Sequence, residues 1–301
     1  MKPIIPFEPT TADLIPKGDD WIAQLKWDGT RILTYFENGE LQLFNRKLNE
    51  RTKQYPELQD PSEYCKASSL ILDGEVISFK DGKPSFYDVM KRDRLRKFNH
   101  LQKAIEETPI VYMVFDVLFF DGEWVLDRTL RERQALLEDI MLPHASVQVV
   151  ESFADKEGLY QACLQSGLEG VVFKDLNSRY TLNGKDSRWR KMKKEYDLIA
   201  VVGGVTYRGD IVSSLDLGLY NDQNELIYIG SAGSGKLSYK DWKDVTTAIQ
   251  QIITDQSPFV NLKQHENAHH TWISPALKIK VTYLEWTQTN TLRHPVIQSF
   301  V

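Results

Sequence analysis

Lys26 closes an apolar run, WIAQLK, and stands directly before an Asp28-Gly29 pair in the segment LKWDGTR. Alternation along an extended strand places Ile22, Gln24 and Lys26 on one side and Trp21, Ala23 and Leu25 on the other, so the amine points away from one packed face. A turn at Asp28-Gly29 would return the chain as a neighbouring strand and bring Arg31 near the corner. A nearby cation, or partial desolvation, lowers the pKa of an amine and frees its lone pair for nucleophilic attack. Alone, KxDG reads more simply as a hairpin decorated by a lysine, so the case for chemistry rests on what else converges. Asp116 interrupts VYMVFDVLFF, where a buried carboxylate requires a hydrogen-bonding or charged partner. Glu75 follows a second Asp-Gly pair in LILDGE, and Glu169 opens a run that ends in Lys174. Trp189, Lys191 and Lys193 alternate onto one strand face.

Two other segments invite a chemical reading. GSAGSGKL at 230–237 approaches the phosphate-binding pattern GxxxxGK[ST] between an apparent strand and an apparent helix. Leu237, however, occupies the position whose hydroxyl would hold Mg2+, and no apolar strand ending in Asp follows. A glycine-rich turn is the better account. His265, His269 and His270 have spacings that could bind a metal, but they lie in QHENAHH, which carries neither strand nor helix periodicity, so a polar loop is expected.

The elements that must position these residues can be read coarsely. WIAQLK, RILTYF and ELQLFN read as a three-stranded meander with turns at Asp28-Gly29 and Asn38-Gly39. LILDGEVISF at 70–79 and IVYMVFDVLFF at 110–120 read as strands, and 86–107 as one helical stretch. Further helices are expected over about 129–140 and 156–166, with strands at VQVVESF, LEGVVFKD and RWRKMKKEY. After Asp197 the texture changes to short apolar runs divided by Gly, Asn and Asp, with one helix at about 239–254. That pattern suggests a small barrel such as an OB-fold.

A chain of 301 residues, 26% charged and 42% hydrophobic, has the balance of a folded protein with room for two domains. No apolar run approaches the ~18 residues of a membrane span, and the N-terminus does not read as a signal peptide, so a cytoplasmic location is expected. Cys65 and Cys163 form no CxxC pair, which suggests neither a disulfide framework nor a cysteine metal site. The net charge of -5 disfavours nucleic-acid binding only as a total. KRDRLRK at 91–97 and KDSRWRKMKK at 185–194 are locally basic, and local positive surface is what phosphates require.

Taken in order, KWDGTR at 26–31, FNRK at 44–47, LDGEV at 72–76, VFDVLFFDG at 114–122, EGVVFK at 169–174 and WRKMK at 189–193 resemble the motifs of the ATP-dependent DNA ligases, within the covalent nucleotidyltransferase superfamily. The final segment from Trp272 to Pro295 is similar to the closing OB segment of small bacterial and phage ligases, including end-joining ligase domains. The resemblance implies an α+β nucleotidyltransferase (adenylation) domain with antiparallel sheets and flanking helices over 1–196, followed by an all-β OB-fold domain over 197–301. It implies that Lys26 attacks the α-phosphorus of ATP and holds AMP as a phosphoamide. AMP then passes to the 5'-phosphate of a nick in duplex DNA, and the 3'-hydroxyl displaces it. A phosphoryl centre ringed by negative oxygens calls for the cations and divalent metal that such a site supplies.

By the same resemblance, Lys191 and Lys193 match the α-phosphate contacts and Phe115 the aromatic that stacks on adenine. Arg31 and Arg46 match nucleotide and 5'-phosphate contacts, and Glu75 the ribose-contacting acid. Glu169 is the acid associated with Mg2+ (or Mn2+), with Glu75 as a second candidate ligand. Arg293 matches a barrel residue that orients pyrophosphate. Lys174 and Lys185 complete the nucleotide set, Lys185 standing where others often have Arg, and Gln24 standing where many relatives carry Glu beside adenine. A monomer without membrane contact is expected, with a DNA-end-binding protein as a potential partner. The nearest alternatives are an RNA ligase or a GTP-using capping enzyme, then a non-catalytic OB-type nucleic-acid-binding protein.

Overall fold

A computed structural model of the chain describes residues 1–233, 235–262, 270–287 and 289–301. The chain divides into two compact units, Met1–Lys194 and Glu195–Val301. Among the described residues no helix is long and apolar enough to cross a membrane.

The first unit runs β1 (Glu8–Thr11), β2 (Trp21–Leu25), β3 (Thr30–Glu37), β4 (Glu40–Asn45), β5 (Leu70–Lys80), β6 (Lys83–Pro84), α1 (Phe86–Asp93), α2 (Leu101–Glu107), β7 (Ile110–Phe120), β8 (Glu123–Trp124), α3 (Leu130–Ile140), β9 (Val147–Val149), α4 (Lys156–Ser166), β10 (Gly170–Asp175) and β11 (Lys185–Lys193). Two sheets result, one ordered β1-β11-β10-β2 and the other β4-β3-β5-β7-β8, with β6 on β5 and β9 on β7. The strand β5 is almost wholly buried because both of its faces are covered. Leu70, Leu72 and Val76 join the core that also takes Leu137 and Ile140 of α3. Ile71 joins Phe7, Leu118, Tyr180 and Trp189, a cluster with residues from both sheets.

The expected meander is corrected at its first turn. β3 and β4 do form a hairpin, with Asn38 and Gly39 both at positive φ as a tight turn of this kind requires. β2 does not pair with β3; it pairs with β10 in the other sheet. Its remaining side is met by Phe153, which exchanges two backbone hydrogen bonds of 2.9 Å with Ala23. With those partners taken, the residues after Lys26 carry the chain from one sheet to the other. Gly29 is needed there, since a Cβ would collide with the Val76 carbonyl oxygen.

The expected helix over 86–107 is also corrected, since it is two helices separated by residues 94–100. Arg92, in the last turn of α1, is buried and donates to the carboxylate of Glu57 at 2.7 and 2.9 Å and to the Thr108 carbonyl just past α2 at 3.1 Å. This guanidinium draws the end of α2 back toward α1. Asp93 is likewise buried, accepting from Arg51 and Tyr55 at 3.1 Å each. The basic run at 91–97 therefore contributes a structural arginine as well as exposed charges.

The second unit contains β12 (Tyr196–Arg208), β13 (Ile211–Tyr220), β14 (Leu226–Ala232), α5 (Tyr239–Ala248), β15 (Ile253–Thr254), β16 (Thr271–Tyr283), β17 (Glu285–Trp286), β18 (Leu292–Arg293) and β19 (Val296–Phe300). Its main sheet is ordered β14-β13-β12-β16-β15, with β19 on β16 and β17 paired to β18. In the glycine-rich segment after β14, Gly235 bridges to Ile297 and the Lys236 N–H donates to the Ile297 carbonyl at 2.9 Å. Leu237 packs on the core of the unit. Of the three histidines, His265 and His269 lie outside the described residues. His270 is held by buried Asp216 at 2.6 Å and stacks on Trp272.

Candidate active site

β2 ends at Leu25, and the Lys26 N–H still donates to the Gly170 carbonyl at 2.9 Å, which fixes the lysine beside the start of β10. The Lys26 Nζ donates to Glu169 Oε2 at 2.7 Å, and the other oxygen of that carboxylate receives Lys193 Nζ at 2.8 Å. Alternation within a strand would set Glu169 and Lys174 on opposite faces. The strand begins only at Gly170, however, so Glu169 is not bound by its alternation. Lys174 then turns inward at 2% exposure.

Lys26 lies in a cleft of about 660 Å³ within the first unit. Its wall includes Gln24 from β2, Arg31 from β3, Glu75 from β5 and Phe115 from β7. Lys174 of β10 and Trp189, Lys191 and Lys193 of β11 complete the opposite side, and Arg46 stands at an exposed position after β4. Arg46 pairs with Glu8 at 3.0 Å. Lys185, at the far end of β11, is exposed and does not line this cleft. Its charge still reaches Lys191, whose amine is held below the ordinary lysine value by burial first and then by Lys193, Lys26 and Lys185. Arg293 belongs to the second unit, where its guanidinium meets Glu285 at 2.7 Å.

Behind the cleft lies a buried charged layer. Asp116 receives Arg133 of α3 through both oxygens, at 2.7 and 3.0 Å, with both side chains fully buried. That is the partner the interrupted apolar strand required. Asp73 receives Arg31 at 2.8 and 2.6 Å and the Tyr180 hydroxyl at 2.7 Å. Among the described residues the Lys174 Nζ has no hydrogen-bond partner, and it lies against the rings of Trp189 and Phe115, 4.1 and 4.3 Å from their centroids. Burial pushes its amine down to about 7, against the opposing pull of Asp116 and Asp73. Burial likewise raises the Glu75 carboxyl to about 8, although Lys26 and Arg31 act to lower it.

The site therefore gathers more positive than negative charge around one amine, and it holds a buried lysine amine that no hydrogen-bonding group among the described residues satisfies. Both features favour an anion in the cleft. Residues 8–193 match the ATP dependent DNA ligase domain, and residues 208–300 match the ATP dependent DNA ligase C terminal region. The chain belongs to the ATP-dependent DNA ligase family. The "DNA ligase" of Methanocorpusculum labreanum is 30% identical over 71% of this chain and 40% of its own length. The "Multifunctional non-homologous end joining protein LigD" of Mycobacterium bovis is 30% identical over 97% of this chain and 37% of its own. The chain thus spans about two fifths of the length of these curated ligases. Among solved structures, a "mycobacterial DNA ligase D complexed with ATP and MES" is similar with a TM-score of 0.56 and 27% identity, covering 99% of this chain and 95% of that one. The ligase domain of M. tuberculosis LigD gives a TM-score of 0.54 at 26% identity, with the same coverage. The architecture is that of these ligases, a nucleotidyltransferase unit followed by an OB-fold.

The motifs that mark a ligase did not point to the residues that support them. Asp73 stands in the LDGEV motif yet carries no signal of its own, and Tyr180 and Arg133 lie outside every motif. Only the Asp116 interruption announced that a buried partner such as Arg133 must exist.

Proposed function

We propose that this chain is the catalytic part of an ATP-dependent DNA ligase, with Lys26 as the residue that carries AMP. The observation that carries the reading is the Lys26 amine itself. It stands in a cleft, hydrogen-bonded to Glu169 at 2.7 Å, with Lys193 on the other oxygen of the same carboxylate. In the first step Lys26 Nζ bonds to the α-phosphorus of ATP and the bond to pyrophosphate breaks. The proton that the ammonium must shed has Glu169 Oε2 already within hydrogen-bond reach. Lys191 and Lys193 spread the charge of the α-phosphate, and Phe115 offers a face for adenine. AMP then moves to the 5'-phosphate of a nicked duplex, and the 3'-hydroxyl attacks that phosphate and expels AMP. Arg46, exposed beyond the end of β4, is the 5'-phosphate contact in this reading.

Glu75 and Glu169 are the carboxylates that would hold Mg2+. Among the described residues no group of three or more His, Cys, Asp or Glu forms a metal cage. Two acids and an open cleft fit an ion that keeps water and nucleotide oxygens as its other ligands. Desolvation holds the Glu75 carboxyl at about 8, and a bound cation would draw it back toward the carboxylate form. When bound, the ion supplies Lewis-acid stabilisation of phosphoryl oxygens.

The test is incubation with Mg2+ and α-labelled ATP or GTP. ATP should leave acid-labile, hydroxylamine-sensitive label on the polypeptide, and Lys26→Ala should abolish it. Label that survives Lys26→Ala overturns the assignment, and labelling by GTP in preference to ATP points to capping chemistry. Nicked DNA should be sealed better than nicked RNA. A Lys236→Ala variant should still take label.

A further inference from the structure

Glu8, Glu75 and Asp93 are the carboxylates that line the cleft. Glu75 lies on β5 near Lys26 and Arg31, and Asp93 is held by Arg51 and Tyr55 at 3.1 Å each. Glu8 is placed differently. Its backbone is fixed, since β1 runs parallel to β11 with Glu8 opposite Lys185 and Thr11 opposite Lys191, and the Glu8 N–H donates to the Gly184 carbonyl at 2.8 Å. Its carboxylate reaches the segment after β4, in the other sheet, and meets Arg46 Nε at 3.0 Å. The turn that carries Arg46 has supports of its own, because Asn45 Oδ1 accepts from the Lys47 and Asn49 N–H groups at 3.0 and 3.1 Å.

With 59% of the Arg46 side chain and 25% of that of Glu8 exposed, the pair is of the weak and exchangeable kind. A phosphate monoester carries nearly two charges at neutral pH and three acceptor oxygens, and it can take a guanidinium through two parallel hydrogen bonds, so it displaces a single carboxylate. The Glu8 charge also reaches Lys191, where it opposes the burial and the neighbouring amines that hold that lysine below its ordinary value. One acid therefore acts on the cation read as the 5'-phosphate contact and on a cation read as an α-phosphate contact. We propose that Glu8 is an internal competitor for the 5'-phosphate: in the uncharged protein it occupies Arg46, and an α-phosphate held by Lys191 repels it and releases Arg46 to the strand end. The inference rests on reading the cleft as the ATP site with Arg46 as its 5'-phosphate contact. Both anions displace the same carboxylate, so each lowers the cost of binding the other, and the coupling works in both directions.

The experiment measures binding of the full chain to a fluorescent nicked duplex bearing either a 5'-phosphate or a 5'-hydroxyl at the nick, in a chelator so that AMP transfer does not proceed. The protein is used uncharged, after treatment with Mg2+ and pyrophosphate, and charged with ATP. The readout is the preference for phosphate over hydroxyl, a ratio from which general effects of net charge on duplex binding cancel. In the uncharged protein Glu8→Gln should raise this preference about threefold, the worth of an exposed ion pair. Glu40→Gln, which removes an exposed carboxylate outside the cleft, should leave it at the wild-type value. In an Arg46→Ala background Glu8→Gln should add nothing, since the acid acts through Arg46. Charging should raise the preference about threefold more in wild type than in Glu8→Gln, a comparison that removes the direct repulsion between AMP and the 5'-phosphate. An unchanged preference in uncharged Glu8→Gln overturns the proposal, as does a lower one, which would make Glu8 a support for Arg46. A gain that persists without Arg46, or equal responses of the two proteins to charging, overturns it as well. Wild type that takes no label from ATP, or Arg46→Ala with the wild-type preference, overturns the underlying reading of the cleft, which is a different result from any of these.

Discussion

Lys174 shows how far the cleft departs from what folding alone would select. Its amine is buried at 2% exposure, lies against two aromatic faces and has no hydrogen-bond partner among the described residues. A buried amine in that state costs stability, and an apolar residue of similar length should stabilise the fold, by about 1–4 kcal/mol. Lys174→Met is therefore expected to raise the melting temperature while weakening ATP charging. The pH dependence follows from its value of about 7 in the fold, against the ordinary 10.5. Below about 7 both folded and unfolded chains carry the proton, and the cost of burying the charge is fully present. Between about 7 and about 10.5 only the unfolded chain binds it, so this contribution to stability rises with pH. The stability gap between Lys174→Met and wild type should be widest below about pH 7 and narrow toward 10.5, as denaturant unfolding at several pH values would show. A gap independent of pH would mean that the amine is not the source of the cost.

At the scale of elements, the site depends on a chain crossing between two sheets. β2 carries Gln24 and leads into Lys26, whereas β3 carries Arg31, and the residues between them fit only because Gly29 lies against Val76. Gly29→Ala would force its Cβ into the Val76 carbonyl and to within 2.9 Å of Ile77 Cγ2, so either the crossing or β5 must move. A loss of about 1–3 kcal/mol in stability is expected. Label transfer to Lys26 should fall with it, since Glu75 lies on β5 next to the displaced segment. Gly39→Ala is the control: it too lies at a turn, with φ of 79°, but nothing is within 4 Å of its Cβ. It should cost only about 1 kcal/mol of backbone strain and leave charging intact. Equal loss of charging in both variants would show that glycine loss in general, rather than the crossing, matters.

For the whole molecule, the division at Lys194/Glu195 separates the cleft from Arg293. Every residue lining the cleft lies in the first unit, while Arg293 is paired with Glu285 in the second. If Arg293 serves only the release of pyrophosphate, its removal should separate the steps of the reaction. Arg293→Ala is expected to slow charging of Lys26 by on the order of tenfold to a hundredfold, the usual effect of losing one cation on a phosphoryl group. Sealing of a nick that already carries AMP should proceed at the wild-type rate. Rapid-quench measurement of both steps decides it: an unslowed first step would remove Arg293 from charging, and equal slowing of the two would show that its effect is not confined to that step.

Much of this molecule was readable before folding was considered. Asn38-Gly39 specified its hairpin because both residues tolerate positive φ, and the interrupted strand around Asp116 implied a buried partner because a lone carboxylate cannot be left in an apolar layer. The ordered motifs identified the family, because spacing along the chain records which residue types must meet. Asp28-Gly29, by contrast, carries the same local signal as a hairpin turn and became a crossing, since the partners of β2 come from residues 153 and 170–175, far along the chain. Arg92 looked like one charge in a basic run and proved to be a buried tie between helices. The anchoring of Gln24 is likewise invisible in sequence, because its amide meets Ser152 at 3.0 Å, more than 100 positions away. Local geometry and residue type were fixed by the chain itself. Which cations are buried and which acid holds Lys26 were decided only by tertiary packing, since those properties depend on neighbours that sequence distance does not reveal.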